Sequence, residues 1–221
     1  MQHVDRLEFL AGTKLFAGTA PDEIKSMLEC LGARERRFKE GARIHRMGDA
    51  IKTVGLVLDG CVRIENVDAW GNVNVLGTMG VGDMFGAAYA AVPDEPLLVD
   101  VVAAKDSRVL FVKLSKVLTT CPRSCPHHAR ISANVTAIIA CRNIELSRRI
   151  FHVAPKTIRG KVLAYLSDEA ERAGSREFDI PFNRQRLADY LGVDRSALSA
   201  ELSRMQKAGL IETHRNHFVL K

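Results

Sequence analysis

Short apolar segments separated by glycine restrict the fold of this chain more than any other feature. Between Phe38 and Val112 the sequence contains nine glycines, at positions 41, 48, 55, 60, 71, 77, 80, 82 and 86. Short segments with frequent glycine turns are typical of β-sandwiches and barrels. With the apolar runs at 97–102 and 109–112 the strand count reaches about eight, which predicts a jelly roll. Short helices are expected before it, over residues 1 to about 35.

After Pro126 the apolar residues recur at helical spacing. They form one stripe: Ile131, Val135, Ile138, Ile139, Leu146 and Ile150. A stripe of this kind has to be buried, either against the β-domain or against its copy in a second subunit, and periodicity leaves both alternatives open. The helix should end near His152, because Pro155 lacks a backbone donor and disfavours helical conformation at the preceding residue. We expect a hinge there.

The C-terminal segment has the spacing of a winged helix-turn-helix. A helix from about Pro155 to Ala173 and a short strand at 177–181 precede two short helices. Asn183 can cap the first of these, Gly192 permits a left-handed turn, and Asp194 can cap the second. Strand-like segments at 210–213 and 217–220 then predict a hairpin, which would be the wing.

The second helix of such a motif lies in the DNA major groove, where its first residues reach base edges. We predict that Arg195, Ser196, Ser199 and Ala200 face DNA, with Arg195 reading guanine. Backbone phosphates would be contacted by Asn183, Arg184 and Gln185, at the start of the preceding helix. A helical hairpin that binds a protein, or only packs, is the alternative.

The charge distribution also favours double-stranded DNA as the partner. The formal net charge is +6. Residues 142–161 contain six Arg and Lys residues and one acidic residue, Glu145, so six minus one gives +5 in that window. Most of the positive excess therefore lies just before the C-terminal segment, and a basic cluster attracts a polyanion.

Several motifs in this order resemble the CRP/FNR family of transcription regulators over nearly the whole chain. They are Gly-Cys-Val-Arg-Ile at 60–64, the turn at 68–72, Gly-Asp-Met-Phe-Gly at 82–86, the helix-turn-helix at 184–199 and Gly-Leu-Ile at 209–211. The resemblance implies an α+β protein with a cyclic-nucleotide-binding-like jelly roll that receives an effector (1–125), a dimerisation helix (126–152) and a winged helix-turn-helix (153–221). It also implies a homodimer, a pseudo-palindromic operator and, for an activator, RNA polymerase as a partner.

The chain departs from the family at the positions that hold the effector. In the cyclic-AMP-binding branch a glutamate follows the glycine that matches Gly86 and holds the ribose, and an Arg-Ser pair holds the phosphate. Here Ala87 and the pair Leu98 and Val99 stand at or near those positions. A buried cyclic phosphate without an arginine would be an uncompensated charge, so cyclic AMP is not expected. These four residues would line the pocket of a less charged effector.

A second departure concerns metal cofactors. Before residue 38 the only cysteine is Cys30, whereas an FNR-type iron–sulfur cluster needs an N-terminal group of thiolates. A separate group of soft or borderline ligands lies at Cys121, Cys125, His127 and His128. It would suit zinc, iron or haem, or it is structural.

The first ten residues do not resemble a secretory signal, and the five cysteines are scattered and odd in number. A cytoplasmic protein with reduced thiols and no membrane contact is expected. The competing class of function is a cupin-like metal-dependent enzyme with an accessory helical domain. Such an enzyme needs several histidines and a glutamate in the jelly roll, where His45 stands without a convincing ligand set.

Overall fold

The computed structural model describes residues 3–68, 70–71, 73–119 and 126–221. The chain divides into two compact units, Met1–Ala140 and Cys141–Lys221. The long helix α5, Pro126–Val153, runs through the division. None of the helices in the described ranges is long and apolar enough to cross a membrane.

The first unit begins with two helices, as the sequence predicts, and continues as a β-domain. Its elements before α5 are α1 His3–Ala11, α2 Pro21–Cys30, β1 Arg34–Phe38, β2 Arg43–His45, β3 Thr53–Asp59, β4 Val62–Val67, β5 Val73–Met79, β6 Met84–Phe85, α3 Ala87–Ala91, β7 Asp100–Ala103, β8 Ser107–Lys113 and α4 Leu114–Leu118.

Two four-stranded antiparallel sheets make up the β-domain, in the orders β1-β8-β3-β6 and β2-β7-β4-β5. Their inward-facing residues form one apolar cluster that includes Phe38, Val57, Phe85, Val109 and Phe111. Phe85 packs directly against the backbone of Gly55, where a Cβ atom would lie 2.2 Å from the ring. Alternation of inward and outward residues on two facing sheets is the packing of a jelly roll, so the predicted fold class is confirmed.

The strand predicted at 97–102 is shorter than expected. It begins at Asp100, because the residues before it pair with a loop and not with a neighbouring strand. Leu97 donates its N–H to the Asp49 carbonyl and accepts from the Gly48 N–H, at 2.9 and 2.8 Å. A loop partner for this segment could not be read from the apolar run itself.

The apolar stripe of α5 is divided between two environments. Ile131 and Val135 are fully buried in the same chain, in a cluster with Leu10, Phe16 and Leu110 of the first unit. Of the two alternatives for this stripe, burial within the chain therefore holds at Ile131 and Val135 and pairing with a second subunit does not, since α1, the loop after it and β8 already cover them. Towards the other end of the stripe, Leu146 and Ile150 are exposed. Periodicity predicts a buried face but not what covers it.

The second unit contains, after the end of α5, α6 Ile158–Ala173, β9 Glu177–Asp179, α7 Arg184–Leu191, α8 Arg195–Lys207, β10 Ile211–His214 and β11 His217–Leu220. The strands form one sheet in the order β10-β11-β9. Helix α6 begins three residues later than predicted, because the Thr157 side chain caps it by accepting from the Gly160 N–H at 3.0 Å. This unit is the expected winged helix-turn-helix.

Candidate nucleic-acid interface

Two side-chain caps and one glycine fix the helix-turn-helix. The Asn183 side chain accepts from the Arg186 N–H at 2.9 Å and starts α7. Gly192 then adopts a φ of 62°, in the left-handed region that favours glycine. The Asp194 carboxylate accepts from the Ala197 N–H at 2.8 Å and starts α8. The sequence predicts all three, because capping is a local interaction.

One side of α8 is buried and the other is open to solvent. Leu198, Leu202 and Met205 lie in the core of the second unit. The residues predicted to face DNA are all exposed: Arg195, Ser196, Ser199 and Ala200. The Ser199 hydroxyl donates to the Arg195 carbonyl at 3.0 Å, so only its acceptor capacity is directed outward. That these side chains reach bases stays a prediction.

An open cleft of about 740 Å³ lies between the start of α7, the start of α8 and the turn of the wing. Its lining residues are Ile180, Pro181, Phe182, Asn183, Arg184, Gln185, Arg195, Arg215 and Asn216. The structure thus brings the predicted phosphate-contacting residues together with the predicted base-reading arginine. It adds Arg215 and Asn216, to which the sequence analysis gave no role in binding.

The wing turn holds an arginine in an unusual backbone conformation. Arg215 has a φ of 54°, where a side chain is strained and glycine is not. The next residue, Asn216, fixes the turn, because its carbonyl accepts from the Ile180 N–H at 2.9 Å. An arginine where a hairpin turn favours glycine is a signal in the sequence, since such strain is found most often at functional sites.

Arg184 differs from its predicted role as a simple phosphate contact. Its Nη2 donates to the Thr213 hydroxyl of β10 at 2.7 Å, and its guanidinium lies 5.0 Å from the ring centroid of Phe218 in β11. Burial lowers the pKa of this guanidinium. Arg184 therefore holds the wing against α7, a long-range role that local sequence does not reveal.

Two arginines hold the buried carboxylate of Glu201 on α8, and this ion network could not be read from the sequence. Glu201 of α8 accepts from Arg159 Nε of α6 at 2.7 Å and lies 2.6 Å from Arg204 Nη2. Both oxygens of this buried carboxylate are thus occupied. The two arginine side chains are 46% and 64% exposed, and only Arg159 lies on α6, so the pair of Arg159 and Glu201 is the contact that joins α8 to α6.

The four predicted effector residues lie in unlike surroundings. Gly86 has a φ of 79° and precedes α3, and Ala87 is buried in an apolar cluster with Leu110 and Val112. Leu98 is 63% exposed, and its carbonyl accepts from the Asn66 side chain at 3.2 Å. Val99 is half-buried. An effector pocket lined by these residues stays a prediction.

Of the predicted metal ligands, only the side chain of His128 is described. Cys121 and Cys125 lie outside the described residues, as does the side chain of His127. His128 is 8% exposed, and its Nδ1 has no hydrogen-bond partner. Over the described ranges there is no cluster of three or more His, Cys, Asp or Glu residues placed to hold a metal ion.

Two protein-family models match the chain. Residues 35–124 match a cyclic nucleotide-binding domain, and residues 160–221 match a Crp-like helix-turn-helix domain. Among curated proteins, Electron transport regulator A of Shewanella oneidensis is 22% identical over 90% of this chain and 78% of the relative. The cyclic AMP receptor protein of Thermus thermophilus is 23% identical over 91% and 89%.

Among solved structures, the c-di-GMP responsive global regulator CLP of Xanthomonas campestris is similar, with a TM-score of 0.56. It is 19% identical, and the match covers 89% of this chain and 97% of that one. At this level of identity the likeness establishes the common fold.

Proposed function

Because this chain belongs to the CRP/FNR family of DNA-binding transcription regulators, we propose that it reads a pseudo-palindromic operator as a homodimer. Residues 1–125 would receive an effector or a redox or metal signal, 126–152 would form the dimer and 153–221 would bind DNA in the cytoplasm. RNA polymerase would be the further partner of an activator. The two curated relatives carry the names of a regulator and a receptor protein, not of enzymes.

The cleft between α7, α8 and the wing is the observation that carries this proposal. It gathers three arginines, Arg184, Arg195 and Arg215, and the start of α7 on one open surface. Arginine donates two parallel hydrogen bonds to guanine in the major groove, and free N–H groups at a helix start favour phosphate. We assign base reading to Arg195 and phosphate contacts to Asn183, Gln185 and Arg215.

The dimer seam is proposed on an exposed face of α5. Along this face the exposed residues are Ala133, Ala137, Ala140, Ile144 and Phe151, spaced by four, three, four and seven positions. This spacing keeps them on one side of a helix. Small residues allow two helices to approach closely, and Ile144 and Phe151, 51% and 70% exposed, supply apolar area. The seam does not include Ile131 and Val135, which are buried in the core of the first unit.

Binding to a labelled random duplex tests the DNA-binding proposal directly. With fluorescence anisotropy between about 50 and 200 mM salt, we expect log affinity to fall with log salt by about 0.9 per phosphate contacted. A nonspecific Kd of roughly 10⁻⁴ to 10⁻⁶ M at physiological salt is expected. Salt-independent binding, or no binding at low salt, would argue against a DNA-binding surface.

Arg184 offers a test of how the wing is held. Arg184→Ala should reduce the free energy of unfolding by about 1–3 kcal/mol, because a hydrogen bond from a charged group and a cation–π contact are lost. Arg184→Lys keeps the charge but not the planar donor group, so it should lose most of the same stability. Denaturant unfolding measures both. If the lysine variant is as stable as the wild type, Arg184 acts only through its charge.

The effector proposed for this chain is not a cyclic nucleotide. Ala87 and the pair Leu98 and Val99 provide neither a carboxylate for a ribose nor a guanidinium for a phosphate. A ligand that binds only the folded protein raises the melting temperature by mass action. Cyclic AMP and cyclic GMP should therefore leave it unchanged in a thermal shift assay, and a saturable rise with either one would overturn this part of the proposal.

A further inference from the structure

The last turns of α5 hold a tyrosine of the helix-turn-helix through three contacts. Tyr190 is on α7, and its hydroxyl lies 2.9 Å from His152 Nδ1. Arg149 Nε donates to the Tyr190 carbonyl at 3.3 Å, and the Arg149 guanidinium lies 5.5 Å from the centroid of the Tyr190 ring. The hydroxyl, ring and backbone of one α7 residue are thus all held by α5.

His152 also contacts α6, so it joins three helices. It is 4% exposed. Its Nε2 lies 3.5 Å from Asp168 Oδ2, an oxygen that is buried and has no hydrogen-bond partner. Its ring packs edge-on against Tyr165 at 5.4 Å. The cluster lies where α5 ends, since His152 is the last residue but one of this helix and precedes Pro155 by three positions.

Charged groups on two helices act on His152 in opposite directions. Asp168 and Glu169 of α6 favour the protonated ring, whereas Arg172 of α6 and Arg148 of α5 disfavour it. The α7 helix presents the hydroxyl of Tyr190, and Arg149 lies on the Tyr190 ring. Burial has the largest effect, and it lowers the pKa of His152.

A neutral ring fits these contacts. With its hydrogen on Nε2, facing Asp168, the Nδ1 atom accepts from the Tyr190 hydroxyl. Protonation places a second hydrogen on Nδ1, which then donates. The Tyr190 hydroxyl then has to turn from donor to acceptor, and its own hydrogen loses Nδ1 as its acceptor in this part-buried contact. A lost partner of this kind destabilises the contact between α5 and α7.

We propose that His152 is a proton-responsive joint that holds the helix-turn-helix on the end of α5 when neutral and releases it when protonated. This regulation rests on the proposed DNA-binding function, because the held arrangement is the one that binds the operator. A fall in pH then acts on the DNA-binding unit directly and does not require the effector pocket.

The direction of the pH effect follows from linkage. The held arrangement has the lowered pKa, so it binds fewer protons than a released one. Its stability is full above the ordinary histidine pKa of about 6.5 and is lost as the pH falls from there through the lowered pKa of His152. DNA and the proton therefore compete, and operator affinity should fall by up to about tenfold per pH unit for each subunit within that window.

The test compares wild type, His152→Gln and Tyr190→Phe between about pH 8 and pH 5.5 at fixed salt. Operator affinity is measured by anisotropy, and the melting temperature is measured without DNA. For the wild-type protein, both the operator affinity and the melting temperature should fall as the pH falls. Glutamine can accept from Tyr190 and donate to Asp168 but does not titrate. The operator affinity and melting temperature of His152→Gln should therefore fall much less with pH. Tyr190→Phe removes a hydrogen bond that favours the neutral ring, so the pKa of His152 in the held arrangement should rise, and the acid loss should be smaller and end at a higher pH.

His214→Gln is the matched control. His214 is an exposed histidine on the wing and makes none of the contacts described for His152. Its replacement should not reduce the acid loss of affinity. Parallel pH profiles for wild type and His152→Gln overturn the proposal, as does an acid loss of stability with unchanged operator affinity. If wild type binds no DNA at any pH, the proposed function fails, and the melting temperatures still decide whether His152 is the titrating joint.

Discussion

The double substitution Ala137→Glu, Ile144→Glu is expected to convert the dimer to a monomer at micromolar concentration. Both residues lie on the exposed face of α5, so the isolated subunit should fold normally. In a dimer the new carboxylates would be buried against like charges. This costs roughly 3–5 kcal/mol of association free energy, which is more than a helix seam of small residues supplies. The monomer can engage only one half-site, so operator affinity should fall by about two orders of magnitude or more.

A control pair separates loss of the seam from added charge. Thr136 and Asn143 are also exposed and have the same spacing, but each precedes a seam residue by one position and so points about 100° away around the helix. Thr136→Glu with Asn143→Glu should leave a dimer. Sedimentation velocity reports the state of both variants. A dimeric Ala137→Glu, Ile144→Glu variant, or a monomeric wild type, contradicts the proposed seam.

Arg195→Ala is expected to weaken the free energy of operator binding by about 1–3 kcal/mol in each half-site, or roughly 2–6 kcal/mol for a symmetric operator. The loss should concern specific binding, since the side chain is assigned to a base and not to a phosphate. Affinity for a random duplex should change little, and preference should relax at one symmetric position. Anisotropy with both duplexes measures the ratio of specific to nonspecific affinity.

Arg195→Lys is the matched variant, because it keeps the charge and loses the paired donors. It should resemble Arg195→Ala on the operator and wild type on a random duplex. An equal loss on both duplexes would mean that Arg195 contacts the backbone and that bases are read elsewhere on α8.

Local signals in the sequence account for the parts of the fold that were predicted. Asn183, Gly192 and Asp194 fix the helix-turn-helix through contacts within three residues, and such contacts are readable from order and type alone. Glycine turns and short apolar runs likewise predicted the jelly roll. The fold class is confirmed for this reason, whereas the roles of individual site residues stay predictions.

Contacts between distant segments account for what was missed. The Thr213 and Phe218 partners of Arg184 are 29 or more residues away, and so is the Arg159 partner of Glu201. The same holds for Ile131 and Val135, whose neighbours come from α1 and the jelly roll. A sequence pattern shows which face of a helix is apolar, but the partner that covers it depends on the folded chain.

Selection of duplexes from a random library by the wild-type protein tests the central claim most directly. Two-fold symmetry and a recognition helix at Arg195 predict an enriched inverted repeat, with half-sites about 34 Å or one helical turn apart and a guanine at matching positions in both. Enrichment of a single asymmetric site, or of no sequence at all, would contradict the account of this protein as a dimeric reader of DNA.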